Sequence, residues 1–486
     1  MSAIVWLRRD LRLHDNAALN AAVQTGLPIT LLYIHDVAVD GATGEWRRGA
    51  ASRTWLHKSL ASLTQSLEKL GATLLIRSGN SAEVLAQLVD EVQASHVFWH
   101  RLYEPEAVQR DSEIKASLKA RGIVVASFPG HLLNEPWAFK TGAGDVYRVF
   151  TPYWRNAMTR LAPSRPLPAP LRIEQALAKN GLAPTGALLA DLKLTSKLGW
   201  DAEFWPHFTP GEAGASEALD VFCDGALAHY TQGRDRPDQV GTSRLGPHLH
   251  FGELSVNQIA YRFAHDKRVI SAAIRPHAEF YLRELGWRDF SHQLLFHFPH
   301  TTNNPLNAKF ATFPWLQPAA GKANNGYSND VKLRAWQLGQ TGIPMIDAGM
   351  RELYKTGWMH NRVRMIVASF LTKNLRYHWL HGARWFWDTL LDADLANNTQ
   401  GWQWSAGSGA DAAPYFRIFN PVTQGEKFDP NGDYVRRYVP ELAHLPNKMI
   451  HQPWTMGGVK AYPQPIVDLK ASREAALAAY AINRNI

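Results

Sequence analysis

The sequence predicts an α/β N-terminal domain built on a doubly wound parallel sheet, followed by an all-helical C-terminal domain. Three observations predict it. Apolar strand-like runs alternate with helical patterns through the first third of the chain. A proline-rich stretch, Arg160–Pro170, then breaks the pattern. Beyond about Trp200 the patterns are long, helical and rich in aromatic residues. At about 150 residues per domain, a chain of 486 residues has room for two or three domains.

The strand-like runs are Ala3–Leu7, Pro28–Ile34, Ala72–Ile76, His96–His100 and Ile123–Phe128. Helical patterns lie between them at Ala50–Leu70, Ala82–Val92 and Glu106–Arg121. Near-continuous apolar strands alternating with helices predict a parallel sheet covered on both faces, here over residues 1–130. Residues 131–199 read as an interdomain linker, because R-L-A-P-S-R-P-L-P-A-P cannot continue a helix and fits an extended crossing. The helical domain spans residues 200–486. Its patterns are Pro276–His297, Asp330–Thr356, Trp358–His378, Gly382–Leu391 and a last amphipathic helix around Leu469–Tyr480.

Composition narrows the class of protein. The apolar share of 45% supplies a large core, and the net charge of +9 favours an anionic partner such as nucleic acid. Solvated surface charge is the plainer reading of that excess. One cysteine, Cys223, excludes a disulfide framework and a cysteine-based metal cage. A reducing cytosol is therefore the expected home. No signal peptide or long apolar run is visible, so no membrane association is expected. The 18 tryptophans are mostly core, with some available as stacking platforms or redox relays.

Common catalytic signatures are missing. Gly142-Ala143-Gly144 lacks a third glycine and does not follow the first strand, so it is no dinucleotide fingerprint. There is no P-loop, no nucleophile elbow and no H-E-x-x-H among the 20 histidines. No metal site is expected.

Four segments carry candidate chemistry. Gly241-Thr242-Ser243-Arg244-Leu245-Gly246 offers two hydroxyls and a guanidinium on one turn, suited to a phosphate, although alone it reads as a helix cap. Tyr281, Glu284, Trp287 and Arg288 share a helix face. A carboxylate beside an indole there can hydrogen-bond and stack on a base, or Glu284 can simply pair with Arg288. Asn361 and Met365 stand one turn apart, an amide and a thioether that suit a flat heterocycle or plain core filling. Leu391–Trp404 packs Asp392, Asp394, Asn397, Asn398, Trp402 and Trp404 into one short stretch.

Taken together, V-W-L-R-R-D-L-R-L-H-D-N, G-T-S-R-L, W-M-H-N-R-x-R-M and G-W-Q-W through F-R-I-F-N-P resemble the photolyase/cryptochrome flavoproteins over essentially the whole chain. Within that family the chain looks most like a microbial cyclobutane pyrimidine dimer photolyase. The resemblance implies blue-light-driven dimer repair in DNA, by electron transfer from excited, reduced FAD to a flipped-out lesion. The alternatives are a cryptochrome photoreceptor without repair, a (6-4) photolyase, and a basic DNA-binding module with a vestigial flavin.

The resemblance also distributes roles. Thr242, Ser243, Arg244 and Leu245 would hold the FAD pyrophosphate, with Tyr230 nearby. Asp392 and Asp394 would face the flavin and adenine, Arg364 would pair with Asp392, and Asn398 would sit beside the flavin's redox-active nitrogen. Glu284, Asn361 and Met365 would contact the lesion, with Trp287 and Trp404 as its apolar wall. Trp402, Trp379 and Trp315 would relay electrons. Arg234, Arg288, Arg362 and Arg417, with Trp287, would contact DNA.

The chain departs from the family pattern in places. Tyr281 replaces a tryptophan three residues before the acidic residue, and Gly246 replaces a serine. Pro105 stands where a folate-binding asparagine is found, with Glu106 retained. A second, antenna chromophore of folate or deazaflavin type is therefore one expectation, and a flavin, folate in another pose or no antenna are the others. UV-damaged DNA is the expected partner, without an obligate protein partner, and a cytoplasmic monomer is the expected form.

Overall fold

A computed structural model describes residues 1–36, 46–269, 271–320, 327–412 and 416–484. Five strands form one parallel sheet in the order β3-β2-β1-β4-β5: β1 Ser2–Leu7, β2 Ile29–His35, β3 Leu74–Ser78, β4 Ala94–His100 and β5 Val124–Phe128. Alternation across the strands makes two apolar layers. Ala3, Val5, Leu31 and Tyr33 pack with Trp55, Leu56 and Leu60. Ile4, Trp6, Leu32 and Ile34 pack on the opposite face with Leu85, Leu88 and Ile114.

The covering helices are α1 Ala17–Gln24, α2 Ala50–Glu68, α3 Ser81–Glu91 and α4 Pro105–Ala120. The first is too short, at eight residues, to show a period in the sequence, and Asn16 caps it by accepting from Leu19 N at 2.9 Å. Strand β3 begins two residues later than expected. Gly71 takes a positive φ and Ala72 N donates back to Leu67 O, so these residues close α2 instead.

Residues 131–199 are more structured than a free crossing. Helix α5, Phe150–Thr159, lies within them, and Trp154 presses on Gly286 so closely that a Cβ there would come within 2.2 Å of its ring. Further on, Gln175 bridges to Ile29, and Ile173, Leu192 and Leu194 join the sheet core.

The remaining helices are α6 Glu212–Asp224, α7 Tyr230–Gly233, α8 Gly246–Phe251, α9 Val256–His265, α10 Arg275–His297, α11 Val331–Leu338 and α12 Pro344–Thr356. They continue with α13 Asn361–Ser369, α14 Trp379–Thr389, α15 Leu395–Ala406, α16 Pro421–Phe428, α17 Asp433–Tyr438 and α18 Leu469–Arg484. The single helix expected over Asp330–Thr356 is two. Gly339 and Gly342 adopt positive φ and Pro344 restarts the helix. The helix expected over Trp358–His378 likewise ends early, passing through one π-turn at Phe370–Asn374 before Arg376 turns left-handed. Phe204, Phe251, Trp358 and Leu391 belong to the core beneath the sheet, so the two halves share one apolar layer.

Candidate active site

A cavity of about 770 Å³ opens among α7, α8, α10, α13 and α15. Of the residues expected to carry function, all but Trp379 and Trp315 line it.

The G-T-S-R-L turn forms one wall. Ser243 Oγ and Tyr281 Oη are 2.9 Å apart, and Leu245 N donates to Ser243 Oγ at 3.3 Å. Tyr281 thus stays buried and adds a hydroxyl contact that an indole could not make in the same way. Arg244, at positive φ, lies 4.9 Å over the Trp358 ring.

The floor comes from the N-terminus of α15 and the face of α13. Asp394 caps α15 through Asn397 N at 2.9 Å. Arg364 donates to Asp392 at 2.9 Å, and a Cβ on Gly246 would fall 2.5 Å from the same carboxylate, which would have to shift to admit it. Asn398 is buried, and its amide NH₂ donates to Ala383 O at 2.9 Å. Its amide oxygen is the group left to face the cavity. Asp392 Oδ1 and Gln400 Oε1 are buried without a hydrogen-bond partner among the described residues. Buried acceptors of this kind match a ligand rich in hydroxyl and ring N–H donors.

Near the mouth, Trp287 stacks on Phe150 with centroids 3.7 Å apart. Phe150 belongs to the segment read as a linker, and no periodicity marked it as part of a site. Glu284 is paired with Arg234. Arg362 donates to Asp235 at 2.7 Å and stands 3.9 Å from Met365 Sδ. Arg417 is exposed at the rim; residues 413–415 of its segment lie outside the described residues. Arg288, expected among the DNA contacts, points inward instead. It donates to the His131 carbonyl and meets His131 Nε2 at 2.7 Å, because α10 turns this position toward the sheet domain. Arg283 and Asp411 also line the cavity, and nothing in their spacing sets them apart from surface charges in the sequence.

Trp402 is buried on α15, packed so tightly against Gly382 that a Cβ there would lie 2.0 Å from the indole. Trp379 is fully buried one turn earlier on α14, and Trp315 is reached through His378, 5.5 Å from Trp379 and 5.4 Å from Trp315.

A second, smaller cavity of about 240 Å³ lies at the C-terminal ends of the central strands. It is lined by Trp6, Trp46, Arg48 and Arg110, with Glu104, Pro105 and Glu106 at the start of α4.

Residues 3–171 match the DNA photolyase family model, and residues 281–482 match the model for the FAD binding domain of DNA photolyase. A deoxyribodipyrimidine photo-lyase of Agrobacterium fabrum is 44% identical over 98% of this chain and 97% of its own. The chain belongs to the photolyase/cryptochrome family.

A bacterial class III photolyase from Agrobacterium tumefaciens has the same architecture, with a TM-score of 0.91, 43% identity, and coverage of 100% of this chain and 98% of that one. Cryptochrome-1 of Arabidopsis thaliana is 37% identical over 97% of this chain and 69% of its own. As a member of this family the protein is a photo-lyase-type enzyme that binds FAD. The unpartnered acceptors, the close approach of Gly246 to Asp392 and the hydroxyl-rich turn all fit that cofactor. No helix among the described residues is long and apolar enough to cross a membrane.

Proposed function

We propose that the protein uses light to split cyclobutane pyrimidine dimers in DNA. The observation that carries this reading is the position of Glu284, Trp287, Asn361, Met365 and Trp404 around the same cavity as the flavin residues. When bound, FAD supplies the light-absorbing, electron-donating chemistry. Ser243, Thr242 and Arg244 would hold its pyrophosphate. Asp392 and Asp394 would accept from its hydroxyl and ring N–H groups, with Tyr230 alongside. Asn398 presents an acceptor oxygen, which suits a ring nitrogen that carries hydrogen and so favours the reduced cofactor.

The lesion must leave the duplex to reach this depth, and a badly stacked dimer is the cheapest pair to extrude. Glu284 would hydrogen-bond the pyrimidine carbonyl and N–H groups. Trp287 and Trp404 would exclude water, with Asn361 and Met365 packed on the bases. Arg417 and Arg362 would contact phosphates of the flanking strand. Trp402, Trp379 and Trp315 would pass electrons inward from the surface.

His360 weighs against the (6-4) lesion. It is buried as the cap of α13, accepting from Arg362 N at 3.2 Å, and burial pushes its imidazole down to about 3. A neutral, capped imidazole is a poor proton donor to a substrate. The similarity to Cryptochrome-1 supports a second reading, a photoreceptor without repair.

The smaller cavity is the proposed seat of the second chromophore. The indoles of Trp6 and Trp46 suit a flat ring system of folate or deazaflavin type. A cytoplasmic monomer acting without a protein partner completes the proposal.

The deciding experiment illuminates the purified, photoreduced protein with an oligonucleotide carrying one thymine dimer, beside dark and (6-4)-lesion controls. Light-dependent loss of the dimer is expected. Bound, photoreducible flavin without repair would move the assignment to the photoreceptor.

A further inference from the structure

The two cavities are joined by a buried chain of charges. Asp394 forms part of the floor of the FAD cavity and Glu104 lines the smaller one, and Arg9 of the sheet domain stands between them. Arg9 is ion-paired to Glu104, and its Nη1 lies 4.0 Å from Asp394 Oδ2. From the helical side His292 Nε2 approaches the same oxygen at 3.5 Å and His250 Nδ1 at 3.7 Å. All of these residues except Arg9 are buried.

The electrostatics of the cluster are balanced. Burial alone would raise Asp394, yet the neighbouring His292 and His250 hold it well below the usual carboxylate range. Burial likewise opposes ionisation of Glu104, and Arg9 outweighs it. Burial, reinforced by Arg9, pushes His250 down to about 4; burial and Arg288 keep His131 well below its ordinary value. Two carboxylates therefore face two guanidiniums, Arg9 and Arg288, with the imidazoles of His131, His250 and His292 between. The ligand atoms of His131, His292 and Asp394 lie within 4.8 Å of one another. A divalent cation is nevertheless a poor fit, because Arg288 already engages His131 Nε2 and Arg9 adds a second positive charge.

We propose that Arg9 is a positioning residue that acts through Asp394, so that the sheet domain sets the reduction potential of the FAD held in the other domain. In a buried site a unit charge acts over a longer range than in water. Loss of the Arg9 charge leaves Asp394 and Glu104 without their shared cation and makes the floor of the cavity more negative. Addition of electrons to the cofactor then becomes harder. Loss of the Glu104 charge has the opposite sign. The idea rests on FAD occupying the large cavity, and the cofactor content of the wild-type protein tests that part by itself.

The experiment is a spectroelectrochemical titration of the FAD in the purified full-length wild-type, Arg9→Gln, Arg9→Lys and Glu104→Gln proteins. At a fixed applied potential, Arg9→Gln should raise the oxidised-to-reduced ratio by roughly threefold or more, the order expected of a screened unit charge. Arg9→Lys should restore most of the wild-type ratio, and Glu104→Gln should lower it. Should Arg9→Gln fail to fold or to retain FAD, Glu104→Gln decides alone. Ratios equal to wild type in the variants that retain FAD would overturn the proposal, as would shifts of the same sign in Arg9→Gln and Glu104→Gln.

Discussion

Glu284 and Arg234 form a two-pronged ion pair, Arg234 Nη1 to Oε1 and Nη2 to Oε2, the second at 3.1 Å. Helix α10 supplies the carboxylate and the end of α7 the guanidinium. Both carboxylate oxygens already accept a hydrogen bond, so a substrate must share them or displace the arginine. Arg234 thus holds Glu284 in a fixed orientation at the mouth of the cavity. The Glu284→Ala variant should split dimers at least about tenfold less efficiently per absorbed photon, the cost of one charge-assisted hydrogen bond. Its FAD content and photoreduction should match wild type. Loss of photoreduction in the same variant would reassign Glu284 to the cofactor.

The arginines around the cavity should separate into two classes. Arg417 is exposed, so Arg417→Ala should weaken binding of damaged and undamaged DNA alike and reduce the dependence of log affinity on log salt by about 1. Arg288 is committed to His131. Arg288→Met should leave that salt dependence unchanged and destabilise the fold by about 1–3 kcal/mol, because the His131 carbonyl loses its donor. Binding isotherms at several salt concentrations, with denaturation curves, check both. A salt slope altered by Arg288→Met would place that residue on the DNA after all.

The sequence made the sheet legible because its strands are apolar on both faces and its helices keep a clear period. It also pointed to most of the cavity lining, since the critical residues cluster in short motifs on α10, α13 and α15. Other features depended on chain crossings that no local pattern encodes. Phe150 reaches Trp287 from a segment that looked like linker. Arg288 shares a helical face with Glu284 in projection, yet one turn along α10 carries it from the mouth to the domain interface. His250, an unremarkable histidine in the sequence, meets Asp394 only through tertiary packing. The helix breaks at Gly339 and Gly342 were written in the sequence, and the long apolar period on either side masked them.

Asp289 gives the fold a pH dependence of known sign. It is buried and accepts from Leu133 N at 3.2 Å and Asn134 N at 2.8 Å, and burial pushes its carboxyl up to about 6. The unfolded chain titrates near 3.9. Between those values the native state binds more protons than the unfolded state, so this residue's contribution to stability falls as pH rises and is level above the folded value. The slope is at most about 1.4 kcal/mol per pH unit. Asp289→Asn cannot titrate. Wild type should therefore be more stable relative to Asp289→Asn near about pH 4 than near about pH 7.5, as read by urea denaturation. An equal difference at both pH values would give Asp289 an ordinary carboxyl.

Asn398 is the position at which charge and function are most tightly bound together. Its NH₂ is committed to Ala383 O at 2.9 Å, so Asn398→Asp would set a carboxylate oxygen against a carbonyl at that distance. Burial favours the neutral acid, whose hydroxyl replaces the lost donor, so the variant should fold and bind FAD at neutral pH. As pH rises the acid ionises, two acceptors face one another at a cost of about 1–3 kcal/mol, and a negative charge arrives where wild type has a neutral amide. The reduced cofactor should then reoxidise in air about tenfold faster than in wild type, with repair falling in parallel, and both effects should grow with pH. Asn398→Ala removes the acceptor without adding charge and should show no such pH dependence. Flavin absorbance followed in air across the pH range reads all three proteins. Reduced FAD that persists equally in wild type and Asn398→Asp at every pH would remove Asn398 from control of the cofactor.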